Sequence, residues 1–117
     1  MSKILIAEDD EAMREFLTQV LIRQGHTVKA VSNGAEALKT MNGYDLLLSD
    51  IRMPGIDGVS LARCVARDHP NLAILFVTGY ASEVKRETDF ESVRLEVLPK
   101  PFKLAELIDV VDRMLAA

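Results

Sequence analysis

Asp45-Leu46-Leu47-Leu48-Ser49-Asp50 is a short continuous apolar run that stops at an acid. Lys3-Ile4-Leu5-Ile6-Ala7 stops in the same way, at Glu8-Asp9-Asp10, and Leu72-Ala73-Ile74-Leu75-Phe76-Val77-Thr78 is a third run of this kind. Segments apolar on both faces suit strands of a parallel sheet that helices cover on both sides. Thr27-Val28-Lys29-Ala30-Val31 and Leu95-Glu96-Val97-Leu98 alternate instead, as half-exposed edge strands do.

Helical patterns fill the intervals. Met13, Phe16, Leu17, Val20 and Leu21 fall on one helical face, and Gly25 follows as a stop signal. Asn33 is placed to cap a shorter helix that buries Ala37, Leu38 and Met41. Leu61, Ala62 and Val65 mark a third helix ended by Asp68-His69-Pro70. A fourth is expected between Ser82 and Ser92, the least periodic stretch, and Leu104, Leu107, Ile108, Val111 and Leu115 mark a C-terminal helix. Five β-α alternations argue for an α/β fold, a doubly wound parallel sheet. Two edge-like strands, the second and the fifth, suit the flavodoxin-like strand order 2-1-3-4-5, whose ligands bind beyond the carboxyl ends of the strands.

Composition narrows the function. The 117 residues suffice for one domain, 1–117, that buries about two thirds of its unfolded surface. Eighteen acids against fourteen bases, with no basic run, disfavour nucleic acid or an anionic membrane as partner. The single cysteine, Cys64, excludes an internal disulfide and fits a reducing cytoplasm; it reads as a small core residue. No apolar stretch approaches the roughly 20 residues needed to span a bilayer, and Ile4 to Ala7 is too short for a signal peptide. His26 and His69 follow helix ends, where they meet last-turn carbonyls or solvent.

The chemistry gathers at the carboxyl ends of the strands: Glu8-Asp9-Asp10 after the first, Asp50 after the third, Thr78 after the fourth, Pro99-Lys100-Pro101 after the fifth. Carboxylates about 4 Å apart repel by roughly 4 kcal/mol per pair at an effective dielectric near 20. Such a cluster calls for a counter-charge, and hard carboxylate oxygens suit Mg2+. Asp10 is also well placed to cap the first helix. Lys100 and Thr78 offer a cation and a hydroxyl donor to a phosphoryl group, and Asp50, alone on a central strand, is the candidate nucleophile for an aspartyl phosphate.

Ile4-Leu5-Ile6-Ala7-Glu8-Asp9-Asp10, Leu48-Ser49-Asp50-Ile51-Arg52-Met53-Pro54-Gly55-Ile56-Asp57-Gly58, Thr78-Gly79-Tyr80 and Lys100-Pro101-Phe102, in this order, resemble the CheY-like response-regulator receiver domains of two-component signalling. The resemblance spans essentially the whole chain. It implies that Asp50 accepts a phosphoryl group from a histidine kinase or histidine phosphotransfer protein. It also implies that Asp9 binds Mg2+ directly, Glu8 through water, and that Asp50 and the main-chain carbonyl of Arg52 complete the metal site. Thr78 and Lys100 would bond the phosphoryl oxygens, with the Lys100-Pro101 bond cis. No organic cofactor is implied. A receiver is a switch that catalyses its own phosphorylation and not an enzyme acting on a separate metabolite. With no output domain after Ala117, its expected readout is a protein bound at the face of the fourth helix, fifth strand and fifth helix. More narrowly, Asp-Ile-Arg-Met-Pro and Thr-Gly-Tyr-Ala resemble stand-alone alphaproteobacterial receivers of the CpdR type, which control regulated proteolysis. The Ala116-Ala117 end reads as a frayed helix terminus or as a tail for an unfoldase-protease.

Two positions depart from the receiver pattern. Val97 stands where an aromatic residue often precedes the lysine by three, and Ser92-Val93-Arg94 replaces the usual Gly-Ala turn. Tyr80 is either an alternative rotating aromatic or a half-exposed loop residue. Three rival chemistries fit poorly. A haloacid-dehalogenase-like phosphohydrolase needs an acid two residues past its nucleophile, where Arg52 stands; a flavodoxin's phosphate would meet Glu8-Asp9-Asp10; a P-loop lacks its glycines and lysine. A binding module of this fold that works without phosphorylation is the remaining alternative.

Overall fold

A computed structural model describes residues 2–80 and 94–116. Five parallel strands, β1 (Lys3–Ala7), β2 (Thr27–Val31), β3 (Leu46–Ser49), β4 (Ala73–Thr78) and β5 (Leu95–Pro99), form one sheet in the order 2-1-3-4-5. Between them run α1 (Glu11–Arg23), α2 (Gly34–Thr40) and α3 (Gly58–Asp68), and a C-terminal helix (Leu104–Ala116) follows β5. The expected helix between Ser82 and Ser92 lies outside the described residues.

The strands with continuous apolar runs are the interior ones. Every residue of β3 and β4 is buried, whereas β2 and β5 keep exposed or half-buried positions at the two edges. Side-chain alternation splits the core into two layers. Leu5, Leu47, Ile74 and Phe76 pack with residues of α2 and α3 on one side of the sheet. Ile4, Ile6, Leu48 and Leu75 pack with α1 and the C-terminal helix on the other.

Local signals fix the helix ends. Asp10 caps α1 by accepting the Met13 amide at 2.9 Å, Asn33 caps α2 from the Glu36 amide at 2.8 Å, and Asp57 caps α3 from the Ser60 amide at 2.8 Å. Gly25, just past α1, has a φ of +93°, which a glycine adopts without strain.

Two apolar faces differ from the periodic reading. In α1, Leu17 and Leu21 are fully buried with Met13 and Val20 packed beside them, but Phe16 is 42% exposed. Phe16 lies one helical step off that stripe and leans instead on Phe102, with ring centroids 6.4 Å apart. In the C-terminal helix the buried stripe is Leu107, Val110, Val111 and Met114, and Leu104 is exposed. Apolar residues encircle more than half of this helix, so two stripes satisfy the same period; packing on β4 and β5 selects one. His26 also differs: its Nδ1 accepts the Ser2 amide at 3.4 Å, and its buried Nε2 has no hydrogen-bond partner among the described residues.

Candidate functional site

The carboxyl edge of the sheet is assembled by backbone bonds between neighbouring strands. The Glu8 amide donates to the Val31 carbonyl at 3.1 Å, the Asp50 amide to the Ala7 carbonyl at 3.2 Å, and the Lys100 amide to the Thr78 carbonyl at 2.8 Å. Residues far apart in sequence are thereby aligned at one level of the fold.

Glu8, Asp9 and Asp50 come together there, each with a carboxylate oxygen within 4.8 Å of the other two. Glu8 is 1% exposed and Asp50 lies largely buried, while Asp9 faces solvent. Lys100 Nζ sits between two of the acids, 3.2 Å from Glu8 Oε1 and 3.1 Å from Asp50 Oδ2. Buried charges need such partners, because burial removes the water that stabilises them. Burial pushes the Glu8 carboxyl above its usual range, and the Asp50 charge adds to this; the Asp10 amide, at 3.1 Å from Glu8 Oε2, and Lys100 act the other way. Burial alone would lower the Lys100 ammonium, but Glu8 and Asp50 together outweigh it and hold it above its ordinary value.

The acceptor candidate is held from several sides. The Ile51 amide donates to Asp50 Oδ1 at 2.7 Å, and the Ser49 hydroxyl donates to the Asp50 carbonyl at 2.7 Å. The first turn of α3 presses on the same peptide: the Gly58 amide donates to the Ile51 carbonyl at 2.7 Å, and a Cβ at position 58 would lie 2.0 Å from the Asp50 carbonyl oxygen. Only glycine fits there.

Thr78 is fully buried at the end of β4, paired with Pro99 of β5. Its Oγ1 accepts the Tyr80 amide at 3.0 Å, and a hydroxyl that accepts still has its own hydrogen to donate. Arg52 stands two residues beyond Asp50, exposed, with its guanidinium carbon 4.1 Å from the Tyr80 ring centroid. The Lys100-Pro101 peptide is cis.

The fold therefore places the acids, Thr78 and Lys100 on one edge, as their positions in the sequence lead one to expect. Gly58, which the receiver resemblance implies shapes the loop after Asp50, meets that residue's carbonyl directly, but several contributors were not singled out in advance: the Ser49 hydroxyl, the Arg52–Tyr80 stack, and Arg14, whose guanidinium donates to the Glu8 carbonyl at 2.9 Å. Ser49 alone left a sequence signal, a polar residue inside an otherwise apolar strand.

Residues 4–112 match the model of the response regulator receiver domain. The chain belongs to the response-regulator receiver family. It is similar along its whole length to the response regulator receiver protein CpdR of Brucella abortus, with 42% identity over 120 residues, covering 100% of this chain and 99% of the relative. Among solved structures it resembles the response regulator TrrA of Thermotoga maritima in complex with Mg2+ and BeF, with a TM-score of 0.87, 30% identity, and coverage of 97% and 99%. It also resembles the receiver domain of the sensor histidine kinase PA1611 of Pseudomonas aeruginosa, with a TM-score of 0.86, 28% identity, and coverage of 99% and 98%; that structure has a magnesium ion coordinated in its active-site cleft. The receiver fold of this chain is flavodoxin-like, with the strand order set out above. No helix among its described residues is long and apolar enough to cross a membrane.

Proposed function

We propose that this receiver accepts a phosphoryl group on Asp50 from the phosphohistidine of a histidine kinase or phosphotransfer protein. The observation that carries this reading is Asp50 on a central strand with Lys100 Nζ at 3.1 Å and two further carboxylates at hand. An Asp50 carboxylate oxygen forms the new bond to phosphorus while the phosphorus–nitrogen bond of the donor breaks, and the imidazole leaves with that electron pair. Lys100 and the Thr78 hydroxyl bond oxygens of the transferred group.

Three hard carboxylate oxygens in one cluster fit Mg2+, which Glu8, Asp9, Asp50 and the Arg52 carbonyl would hold. Mg2+ supplies charge neutralisation between the acids and a phosphoryl oxygen. Two solved relatives carry magnesium, which supports this assignment.

The donor would dock beside the site. Met13, Phe16, Lys100, Pro101 and Phe102 line an open groove of about 390 Å³, and the exposed Phe16 offers an apolar contact next to the lysine that touches Asp50. The readout is a change in protein binding in the cytoplasm at the face that includes β5 and the C-terminal helix, where Arg113 pairs with Glu96. The class of output partner we infer is an unfoldase-protease, from the resemblance of Asp50 to Pro54 and of the run from Thr78 to stand-alone receivers that control regulated proteolysis.

Intact-mass measurement after incubation with Mg2+ and acetyl phosphate tests the chemistry. A single phosphoryl adduct is expected, absent in Asp50→Asn. No adduct from any small donor or kinase would favour a phosphorylation-independent binding module, and turnover of many phosphomonoesters would favour a hydrolase. A pull-down with wild type and Asp50→Ala tests the output: recovery of an unfoldase in neither would remove that partner class.

A further inference from the structure

Glu8 is held through its amide, its carbonyl and both carboxylate oxygens. The amide donates to the Val31 carbonyl of β2 at 3.1 Å, Oε2 accepts the Asp10 amide at 3.1 Å, and Oε1 accepts Lys100 Nζ at 3.2 Å. The carbonyl, one residue past the end of β1, accepts Arg14 Nη1 at 2.9 Å. Arg14 stands one turn into α1 and reaches back six residues to make this bond. Its own backbone is fixed on both sides: the amide donates to the Asp10 carbonyl at 2.9 Å, and the carbonyl accepts the Thr18 hydroxyl at 2.7 Å. A charged donor makes a hydrogen bond about twice as strong as a neutral one. The carbonyl that Arg14 grips belongs to the peptide joining Glu8 to Asp9. That peptide is planar, so turning it moves both acids through the dihedrals on either side.

We propose that Arg14 is a positioning residue that sets the affinity and the selectivity of the acid cluster for Mg2+ by fixing the Glu8–Asp9 peptide. The inference rests on the reading of Glu8, Asp9 and Asp50 as a magnesium site. These acids present carboxylate oxygens within 4.8 Å of one another, and the peptide held by Arg14 governs the relative placement of two of them. Mg2+ demands near-ideal octahedral geometry, whereas the larger Ca2+ accepts flexible arrangements of oxygens. A loosened peptide therefore costs Mg2+ more than Ca2+. Charge alone acts in the opposite direction. A guanidinium repels a nearby cation, so removing it would tighten the binding of both ions alike, because both carry the same charge. Positioning and charge thus differ in sign and in selectivity.

Isothermal titration calorimetry of Mg2+ and of Ca2+ into wild type, Arg14→Met and Arg14→Lys tests the proposal. Methionine keeps an apolar stem and loses the charge and the donor; lysine keeps both at a shorter reach. Removing a group that orients metal ligands costs about ten- to a hundred-fold in affinity. Arg14 is half-buried, lines an open groove of about 370 Å³ with Thr18 and Ala30, and acts through the backbone, all of which reduce the loss. Arg14→Met is expected to bind Mg2+ about three- to ten-fold more weakly and Ca2+ less than about two-fold more weakly. Arg14→Lys is expected to fall between Arg14→Met and wild type. Chemical denaturation without divalent ions checks that each variant is folded; if Arg14→Met is not, Arg14→Lys carries the test by the same two criteria. A Mg2+ dissociation constant equal to or tighter than that of wild type, or equal weakening of both ions, would overturn the role of Arg14 and leave the magnesium site standing. A wild type that does not bind Mg2+ would overturn both.

Discussion

Charge is used differently at the two ends of the sheet. At the carboxyl edge, Glu8, Asp9 and Asp50 are gathered against one another, with Lys100 as their protein counter-charge. At the amino edge, a recess of about 510 Å³ is lined by Tyr44, Asp45, His69 and Arg94 among others. There the charges bond backbone groups at element ends: Asp45 Oδ2 accepts the Lys3 amide at the start of β1 at 2.8 Å, and the Arg94 guanidinium donates to the Met114 carbonyl in the last turn of the C-terminal helix. A roomy polar recess whose charges serve the backbone is architecture. Like charges held together against their own repulsion mark a candidate site. The size of a cavity does not separate the two cases; the sign and partners of its side chains do.

Substitutions sharpen or break this contrast. The largest effect is expected from Asp50→Asn, which should abolish the phosphoryl adduct seen by intact mass; an adduct surviving in this variant would move the acceptor elsewhere. Gly58→Ala should lower stability by about 3 kcal/mol in chemical denaturation, since its Cβ would overlap the Asp50 carbonyl oxygen. A midpoint like that of wild type would mean that the Asp50–Ile51 peptide is not clamped. Lys100→Met should cost about 2 kcal/mol in the absence of divalent ions, because Glu8 and Asp50 lose their shared cation; the part-exposed position keeps this below the cost of breaking a fully buried pair. Stability unchanged at low ionic strength would show that the acids do not need it. Mg2+ at ten times its dissociation constant should stabilise wild type by about 1.4 kcal/mol, read as a shift in the thermal midpoint that Asp9→Ala removes. His69→Ala, at the other end of the sheet, should change stability by less than about 0.5 kcal/mol and leave adduct formation untouched. A loss of phosphorylation in His69→Ala would break the contrast outright.

The fold was legible in the sequence because periodicity reports burial. Three wholly apolar runs became β1, β3 and β4, and the two alternating segments became the edges. The acids were legible because three carboxylates at strand ends have no stabilising use without a counter-charge. Phe16 was misplaced because a helical wheel ranks residues by type and angle, and cannot see that a neighbouring ring, Phe102, will hold a side chain at the flank. Val110 and Met114 were passed over because Leu104 and Ile108 fit the same period. The need for glycine at position 58 arises from a contact between α3 and a peptide eight residues earlier, which no local pattern encodes.

The Lys100 amide donates to the Thr78 carbonyl across the carboxyl ends of β5 and β4. The bond makes the hydroxyl-bearing residue and the ammonium-bearing residue adjacent points on a single lever. A displacement of one would be carried to the other through this bond. The resonance of that lone amide in a nitrogen-15 spectrum would then serve as a gauge of how far the lever has swung, read without a label on any ligand.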